Sequence, residues 1–189
     1  MEELDRTALV VVDVQRAFED LDFWGRRDNP AAEANIGALV EAWRAAGRPL
    51  VLVRHDSVEP GSPLRAGTPG NALRPEVEGP HDLLVTKQVN SAFHGEPDLA
   101  GWLRERGLER IAICGITTNH CCETTARVGG NLGFDVLFVA DATHTYDRAG
   151  PDGEIVAAED LARATAASLH GEFATVVRTE TLLRCSPSG

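Results

Sequence analysis

The sequence predicts a single-domain α/β protein, a three-layer α/β/α fold around a central six-stranded parallel sheet. Short apolar runs alternate along the chain with segments of helical periodicity, an order typical of a parallel sheet with helices on both faces. The 189 residues are enough for one sizeable core and few for two. No linker, repeat or low-complexity segment divides the chain, so we expect one domain over residues 1–189.

The apolar runs are continuous and rich in β-branched residues, as is typical of strands buried on both faces of a sheet. The predicted strands are Thr7–Asp13, Pro49–Arg54, Leu83–Lys87, Arg110–Gly115, Asp135–Asp141 and Ala174–Arg178. Their order within the sheet stays open at this point.

Helical periodicity fills the intervals between the strands. The predicted helices cover residues 29–47, 97–106, 119–132 and 154–170, and the first begins at the pair Asn29–Pro30. One apolar face of that helix carries Ile36, Leu39, Val40 and Trp43. From about residue 55 to 80 the chain is rich in Pro and Gly and has little periodicity. Loops of that length in compact domains are usually functional, so we expect it at the rim of a site.

Composition argues against several classes of protein. The formal net charge of −11 disfavours nucleic-acid binding, which needs basic patches, but it permits a cationic substrate. No run of about 20 apolar residues occurs, and the acidic start MEELD is unlike a signal peptide. The four cysteines suggest no disulfide framework, because Cys121 and Cys122 are adjacent. We expect a cytoplasmic protein with reduced thiols and no membrane partner.

Three reactive side chains follow predicted strands. Asp13 ends the first strand, Lys87 ends the third, and Cys121 lies just past the fourth, at the start of a predicted helix. Ligands of open parallel sheets bind at the carboxyl ends of the strands, so all three fall on the ligand-binding edge. A helix N-terminus and a nearby lysine would both lower the pKa of the thiol, and a carboxylate could shuttle its proton. Taken singly, each residue also has an ordinary structural explanation: a turn-forming Asp, a solvated Lys, a small core Cys.

The composition of the basic residues singles out Lys87. Of the 18 basic residues, 17 are Arg and one is Lys. Lysine offers a compact charge with a pKa that can shift, whereas arginine stays charged and spreads its charge over a planar fork. A lone lysine in such a chain indicates a position that arginine cannot serve.

Several stretches then resemble one family in the right order along the chain. The segment CGITTNHCCETTAR at 114–127 resembles the nucleophile motif of isochorismatase-like cysteine hydrolases, which include nicotinamidases and carbamoylsarcosine amidases. VVDVQRAF at 11–18 and TKQVNSAF at 86–93 are similar to the family's aspartate and lysine segments. DATHTY at 141–146 and SLHGEFAT at 168–175 match two further family stretches. The resemblance implies a Rossmann-like fold of the isochorismatase type.

The resemblance also implies a role for each residue of the site. Cys121 would be the nucleophile, Asp13 the general base and acid, and Lys87 the cation that stabilises the thiolate and orients Asp13. Cys122 would be a packing residue without a part in the reaction. The family's non-proline cis peptide would fall at Ile116–Thr117, and the N–H groups of Thr117 and Cys121 would form the oxyanion hole. The residues expected to contact the substrate are Gln15, Phe18, Trp24, Phe93, Thr118 and Tyr146.

The chain departs from the metal-dependent branch of that family. Nicotinamidases have an Asp-x-His pair after the second strand and a further His downstream, which hold a metal. Here His55 and Asp56 are adjacent, so their side chains would diverge in an extended segment, and the next histidine is His81. The 64–71 loop resembles that of the metal-free branch. We therefore expect no metal and no cofactor, and nicotinamide becomes less favoured as the substrate.

The predicted activity is hydrolysis of a carbon–nitrogen bond in a small amide, lactam or urea-type molecule, through a thioester with Cys121. True isochorismatases cleave a vinyl ether and lack this cysteine. A streptothricin hydrolase, which acts on a cationic amide, and a nicotinamidase are named alternatives. We expect a homo-oligomer, a dimer or tetramer, as is common in the family.

Other classes of protein fit the sequence less well. A thiol-redox or sensing protein would use Cys121 and Cys122, but a C-x-x-C motif is missing. A nucleotide-binding module would need a glycine-rich loop after a strand, and neither G-x-G-x-x-G nor a P-loop occurs. A catalytically silent binding protein of the same fold would have no reason to keep Asp13, Lys87 and Cys121 together.

Overall fold

The protein is described by a computed structural model that covers residues 2–184, with side chains from Leu4 onward. The strands are β1 (Thr7–Val12), β2 (Leu50–His55), β3 (Leu83–Lys87), β4 (Arg110–Ile116), β5 (Asp135–His144), β6 (Arg148–Ala149), β7 (Ile155–Val156) and β8 (Thr175–Val177). Six of them form one parallel sheet in the order β3–β2–β1–β4–β5–β8. β6 and β7 form a separate short antiparallel hairpin. The predicted six-stranded parallel sheet is confirmed.

Helices cover both faces of this sheet. They are α1 (Glu2–Asp5), α2 (Leu21–Trp24), α3 (Ala32–Ala45), α4 (Leu99–Glu105), α5 (Glu123–Asn131), α6 (Ala158–Leu169) and α7 (Thr179–Arg184). Because side chains alternate along a strand, Leu9 and Val11 of β1 pack with α3 and α7, whereas Val10 and Val12 pack with α4, α5 and α6. The interior therefore consists of two apolar layers, one on each side of the sheet, as predicted for the α/β/α class.

Several predicted boundaries are wrong by a few residues, and local contacts explain them. Asn29 does not begin a helix: it has a φ of 34°, and its side-chain amide donates to the carbonyls of Asp141 and Thr143. Helix α3 therefore begins at Ala32, and it ends at Ala45, before the turn at Gly47. The last predicted helix corresponds to α6, which begins at Ala158 rather than 154, because Ile155–Val156 pairs in the hairpin.

Two further differences lie next to the predicted site. The predicted helix 119–132 is split into a π-helical turn at Thr118–Cys122 and α5 at Glu123–Asn131, so Cys121 lies in the turn. The fifth strand continues past the predicted Asp141 to His144, after a register shift against β4. This extension brings Thr143 and His144 to the same edge as the site.

The strand order places a topological switch point between β1 and β4. The chain runs outward from β1 through β2 to β3 and then returns to β4 on the other side of β1. The crevice at such a point, at the carboxyl ends of the strands, is where open α/β sheets bind ligands. Gly115 allows β1 and β4 to approach there: a Cβ atom on it would lie 2.0 Å from the Val12 carbonyl oxygen.

Among the described residues, no helix is both long and apolar enough to cross a membrane. Cys114, Cys121 and Cys122 are free thiols, whereas Cys185 lies outside the described part of the chain.

Candidate active site

A buried ion pair forms the base of the site. Asp13 follows β1 and has a φ of 51°, a left-handed conformation that is uncommon for a residue other than glycine. Its Oδ2 accepts a 2.6 Å hydrogen bond from the Nζ of Lys87, the last residue of β3, and both side chains are 0% exposed. Burial alone would lower the pKa of Lys87, but Asp13 and Cys121 raise it above its usual value. Lys87 therefore stays a cation inside the protein.

The thiol of Cys121 lies beside this pair. Its Sγ accepts a hydrogen bond from Lys87 Nζ at 3.4 Å and is 3.7 Å from Asn90 Oδ1. The other carboxylate oxygen of Asp13, Oδ1, is buried and has no hydrogen-bond partner among the described residues. Asp13 thus retains an oxygen that can accept a proton, next to a thiol that can supply one.

The expected lowering of the thiol pKa is wrong. Burial, and then the Asp13 carboxylate, raise the pKa of Cys121 well above its usual range, and Lys87 opposes this only in part. Cys121 also lies in a π-helical turn rather than at the start of an α-helix, which weakens the argument from the helix dipole. The resting thiol is therefore protonated, and its proton has to be removed when the substrate is attacked.

A cavity of about 220 Å³ opens onto this sulfur. Its apolar wall is made by Phe18, Trp24 and Leu64, and its polar wall by Ser57, Ser62, Asn90 and His120. Among the described residues that line it, Asp13 is the one acidic residue and none is an arginine. The size of the cavity suits a small molecule, and its aromatic wall suits a planar group.

Two of the six predicted substrate contacts line the cavity, namely Phe18 and Trp24. Tyr146 lies behind them: its ring centroid is 5.6 Å from that of Trp24, and its hydroxyl donates to the Phe18 carbonyl at 2.7 Å. Tyr146 therefore holds the aromatic wall of the cavity in place. Trp24 is held further by a 2.8 Å hydrogen bond from its indole N–H to the Ala17 carbonyl.

The other three predicted contacts lie away from the lining of the cavity. Gln15 is 0% exposed, and its amide bonds the backbone of His55 and Asn71. Thr118 is buried and donates to Thr143 Oγ1, and Phe93 stacks on Phe134 with 5.5 Å between centroids. These residues support neighbouring segments, which a motif resemblance cannot distinguish from contact with a substrate.

The predicted oxyanion donors are at the cavity, since Thr117 and Cys121 both belong to its lining. The Ile116–Thr117 peptide bond is cis, as the resemblance implies. His120 also lines the cavity, and its Nδ1 lies 3.2 Å from Thr117 Oγ1. Burial and the charge of Arg148 lower the pKa of His120, so its ring stays neutral near pH 7.

Sequence reasoning did not assign a role to His55, Asn90 or His120. His55 is the last residue of β2, so its position on the ligand-binding edge could have drawn attention to it. Asn90 and His120 lie within the motifs around Lys87 and Cys121, but nothing in their spacing indicates that they face the sulfur.

A metal ion fits poorly among these groups. A carboxylate oxygen of Asp13, a ring nitrogen of His55 and the sulfur of Cys121 lie within 4.8 Å of one another, which is a possible ligand set. The Nζ of Lys87 lies within hydrogen-bonding distance of all three residues, at 2.6, 3.2 and 3.4 Å. A metal ion would have to displace this ammonium and would engage the proposed nucleophile.

Comparison with known proteins shows which family the chain belongs to. The family model described as the isochorismatase domain matches residues 7–180. The chain belongs to the isochorismatase family. The predicted resemblance is thereby confirmed, together with its implied fold.

Similar proteins of the isochorismatase family cover most of the chain. It is 38% identical to the isochorismatase family protein YrdC of Bacillus subtilis over 181 residues, 95% of each chain. It is 34% identical to the ureidoacrylate amidohydrolase RutB of Azorhizobium caulinodans, over 79% of each. A crystal structure of an isochorismatase-family protein from Chromobacterium violaceum superposes with a TM-score of 0.89 at 38% identity and covers 95% of this chain and 93% of that one. The chain is accordingly a hydrolase of the isochorismatase family, as predicted.

Proposed function

We propose that this isochorismatase-family enzyme hydrolyses a carbon–nitrogen bond of a small amide, lactam or urea-type molecule through a thioester on Cys121. The observation that carries the proposal is the ammonium of Lys87, which hydrogen-bonds both Asp13 and Cys121, two residues that line one cavity. A nucleophile, a proton acceptor and a fixed cation in one small site are the parts that acyl transfer requires.

In the first half of the proposed reaction, Asp13 accepts the proton of the Cys121 thiol as the sulfur attacks the carbonyl carbon. The carbonyl oxygen takes up the electron pair and is stabilised by the N–H groups of Thr117 and Cys121. The carbon–nitrogen bond then breaks, and protonated Asp13 gives its proton to the departing nitrogen. The amine leaves, and the acyl group stays on Cys121 as a thioester.

In the second half, water replaces the amine. Asp13 takes a proton from the water as its oxygen attacks the thioester carbon, the carbon–sulfur bond breaks, and the proton passes to the sulfur. The products are a carboxylic or carbamic acid and the resting thiol. Lys87 stays protonated throughout and offsets the negative charge, which lies on Asp13 in the resting enzyme and leaves it while Asp13 holds the transferred proton.

The names of the similar proteins support the type of bond that is cleaved, but they do not identify the substrate. Those that match include nicotinamidase 3 of Arabidopsis thaliana, at 29% identity, and streptothricin hydrolase of Streptomyces noursei, at 35%, besides the ureidoacrylate amidohydrolases. These names span neutral, cationic and anionic molecules, so they do not select one here. Within the cavity Asp13 is already paired with Lys87, so we propose that the reacting end of the substrate is uncharged and that any charged group lies towards the mouth.

A thiol-redox function is the alternative from another class. It would require Cys121 and Cys122 to act together, but Cys122 is 0% exposed and packs in the apolar layer with α5. Burial raises its pKa well above the usual value, so it is a poor partner for thiol exchange.

Assembly into a homo-oligomer stays a prediction.

The proposal is tested with a panel of neutral, cationic and anionic small amides, lactams and ureas, with release of ammonia or amine as the readout. We expect turnover of at least one uncharged primary amide or urea and the accumulation of an acyl adduct on Cys121 in quenched samples. Release of product without any adduct on Cys121, in an enzyme that also tolerates Cys121→Ala, would contradict the proposal.

The poor fit for a metal ion gives a separate prediction. Prolonged chelation should leave the rate of hydrolysis unchanged, because the cation at the centre of the site is Lys87. The measurement is turnover before and after dialysis against a chelator, with elemental analysis of the same samples. A loss of activity that zinc or manganese restores would show that a metal takes part after all.

A further inference from the structure

We propose that His55 is a positioning residue of the active site, which holds the Lys87 ammonium in place between Asp13 and Cys121. The inference rests on the proposed function, which gives those three residues their roles. His55 ends β2 and pairs in register with Lys87 at the end of the neighbouring β3. Its ring also belongs to the lining of the cavity that opens onto Cys121.

The donors and acceptors around the ammonium match in number. A protonated lysine carries three N–H donors and no acceptor. Around Lys87 Nζ lie three acceptors, Asp13 Oδ2 at 2.6 Å, His55 Nδ1 at 3.2 Å and Cys121 Sγ at 3.4 Å. Each N–H therefore has one partner, and the ammonium cannot rotate without giving one up. Without His55, one buried donor would have no partner among these groups.

This arrangement sets the protonation state of the ring. The ammonium can only donate, so Nδ1 of His55 must be unprotonated and the ring proton must be on Nε2. Burial and then the charge of Lys87 lower the pKa of His55, while Asp13 and Asp56 oppose the shift in part. His55 is therefore a neutral acceptor near pH 7.

Two buried amides fix the backbone of His55. The Oε1 of Gln15 accepts from the His55 N–H at 2.9 Å, and its Nε2 donates to the His55 carbonyl at 3.1 Å. Asn71, from the long loop, donates to the same carbonyl at 3.0 Å. Gln15 and Asn71 are 0% and 6% exposed and are themselves joined at 2.9 Å. These hydrogen bonds hold the end of β2 in place. They give the buried Gln15 a structural role that requires no contact with a substrate.

Loss of the acceptor would have a defined consequence. A buried N–H without a partner costs about 1–3 kcal/mol, so the ammonium would move to recover one. Any such movement weakens the stabilisation of the thiolate on Cys121. Protonation of His55 at low pH would act in the same direction, because an imidazolium offers no acceptor at Nδ1 and repels Lys87.

The test compares two variants of similar shape. In His55→Asn the side-chain oxygen can take the place of Nδ1, whereas His55→Leu has the same branching and no acceptor. His81→Gln, at an exposed histidine outside the site, is the control. The probe is iodoacetamide, and the readout is the rate of Cys121 alkylation from pH 5 to 9, followed by peptide mass spectrometry. This readout does not depend on turnover.

We expect alkylation of Cys121 at pH 7 to be about tenfold slower in His55→Leu, the effect of a shift of about one unit in the thiol pKa. His55→Asn and His81→Gln should stay close to the wild-type rate. Because the thiolate fraction falls as the pH falls in every variant, the wild-type rate should drop more steeply than that fraction below the ordinary histidine pKa of 6.5, as His55 gains a proton, and His55→Asn should lack this added steepness.

Equal alkylation rates in His55→Leu and His55→Asn, with an equally steep fall of the rate at low pH in the wild type and in His55→Asn, would overturn the inference. Should His55→Leu fail to fold, as judged by its thermal melt, the pH profile of His55→Asn decides alone. If alkylation depends on His55 while the amide panel yields no product, the proposed function fails and the positioning role stands.

Discussion

Replacement of Cys121 by alanine should abolish hydrolysis, with a fall in rate on the order of 10⁴-fold or more, as expected for loss of the attacking nucleophile. Among the cysteines that the structure describes, Cys121 is the one that lines the cavity and contacts Lys87, so neither Cys114 nor Cys122 can take its place. The matched variant is Cys122→Ala, next along the chain, which should keep most of the activity. Cys122 is buried in the apolar layer, so its variant should lose stability rather than rate.

The measurement is single-turnover kinetics on the best substrate of the panel, together with thermal melts of both variants. Thiol labelling gives an independent readout. Cys114 and Cys122 are 0% exposed, whereas Cys121 lines the cavity, so an alkylating reagent should modify Cys121 before either of them. Full activity in Cys121→Ala, or earlier labelling of Cys122, would contradict the assignment of the nucleophile.

The architecture could be predicted from the sequence because its signals are local. Continuous β-branched runs identify buried strands, and their alternation with helices identifies a parallel sheet. Residues that follow those strands must lie at the carboxyl edge, which is why Asp13, Lys87 and Cys121 could be grouped before any contact was known. The strand order could not be predicted, because it depends on contacts between segments far apart in the chain.

The direction of the shift in the Cys121 pKa was predicted wrongly, and there is a physical reason for this. Lys87 and a helix N-terminus were visible in the sequence, but the burial of the thiol was not, and burial is the largest effect on the Cys121 pKa. A protonated resting thiol makes Asp13 necessary as a proton acceptor, whereas a preformed thiolate would not. The structure thus assigns more of the proposed chemistry to the carboxylate than the sequence indicated.

The roles of Gln15 and His55 were hidden for a similar reason. Gln15 lies two residues after Asp13 in the motif, and sequence proximity suggested contact with the substrate. Its amide instead bonds the His55 backbone, 40 residues further along the chain. His55 and Asp56 were judged only as metal ligands, because the resemblance offered that comparison. An acceptor for Lys87 becomes visible only when β2 and β3 lie side by side.

Replacement of Lys87 by arginine should be nearly as damaging as replacement by alanine, with each variant losing about 100-fold or more in acylation, in line with the removal of a positioned electrostatic group. The ammonium lies in a space that is 0% exposed, with one acceptor for each of its three N–H donors. A guanidinium is larger, carries five donors in a plane, and would displace Asp13 or Cys121.

The measurement is single-turnover acylation in the two variants, with thermal melts alongside. The buried carboxylate that Lys87→Ala leaves unpaired should lower stability by about 3–5 kcal/mol, more than a residue lining an open cavity would cost. Lys87→Arg keeps the charge, so its melt should fall less than that of Lys87→Ala while its rate falls as far. If Lys87→Arg retains more than about half of the wild-type acylation rate, against the hundredfold loss expected here, a generic positive charge is sufficient and the compact ammonium is not required.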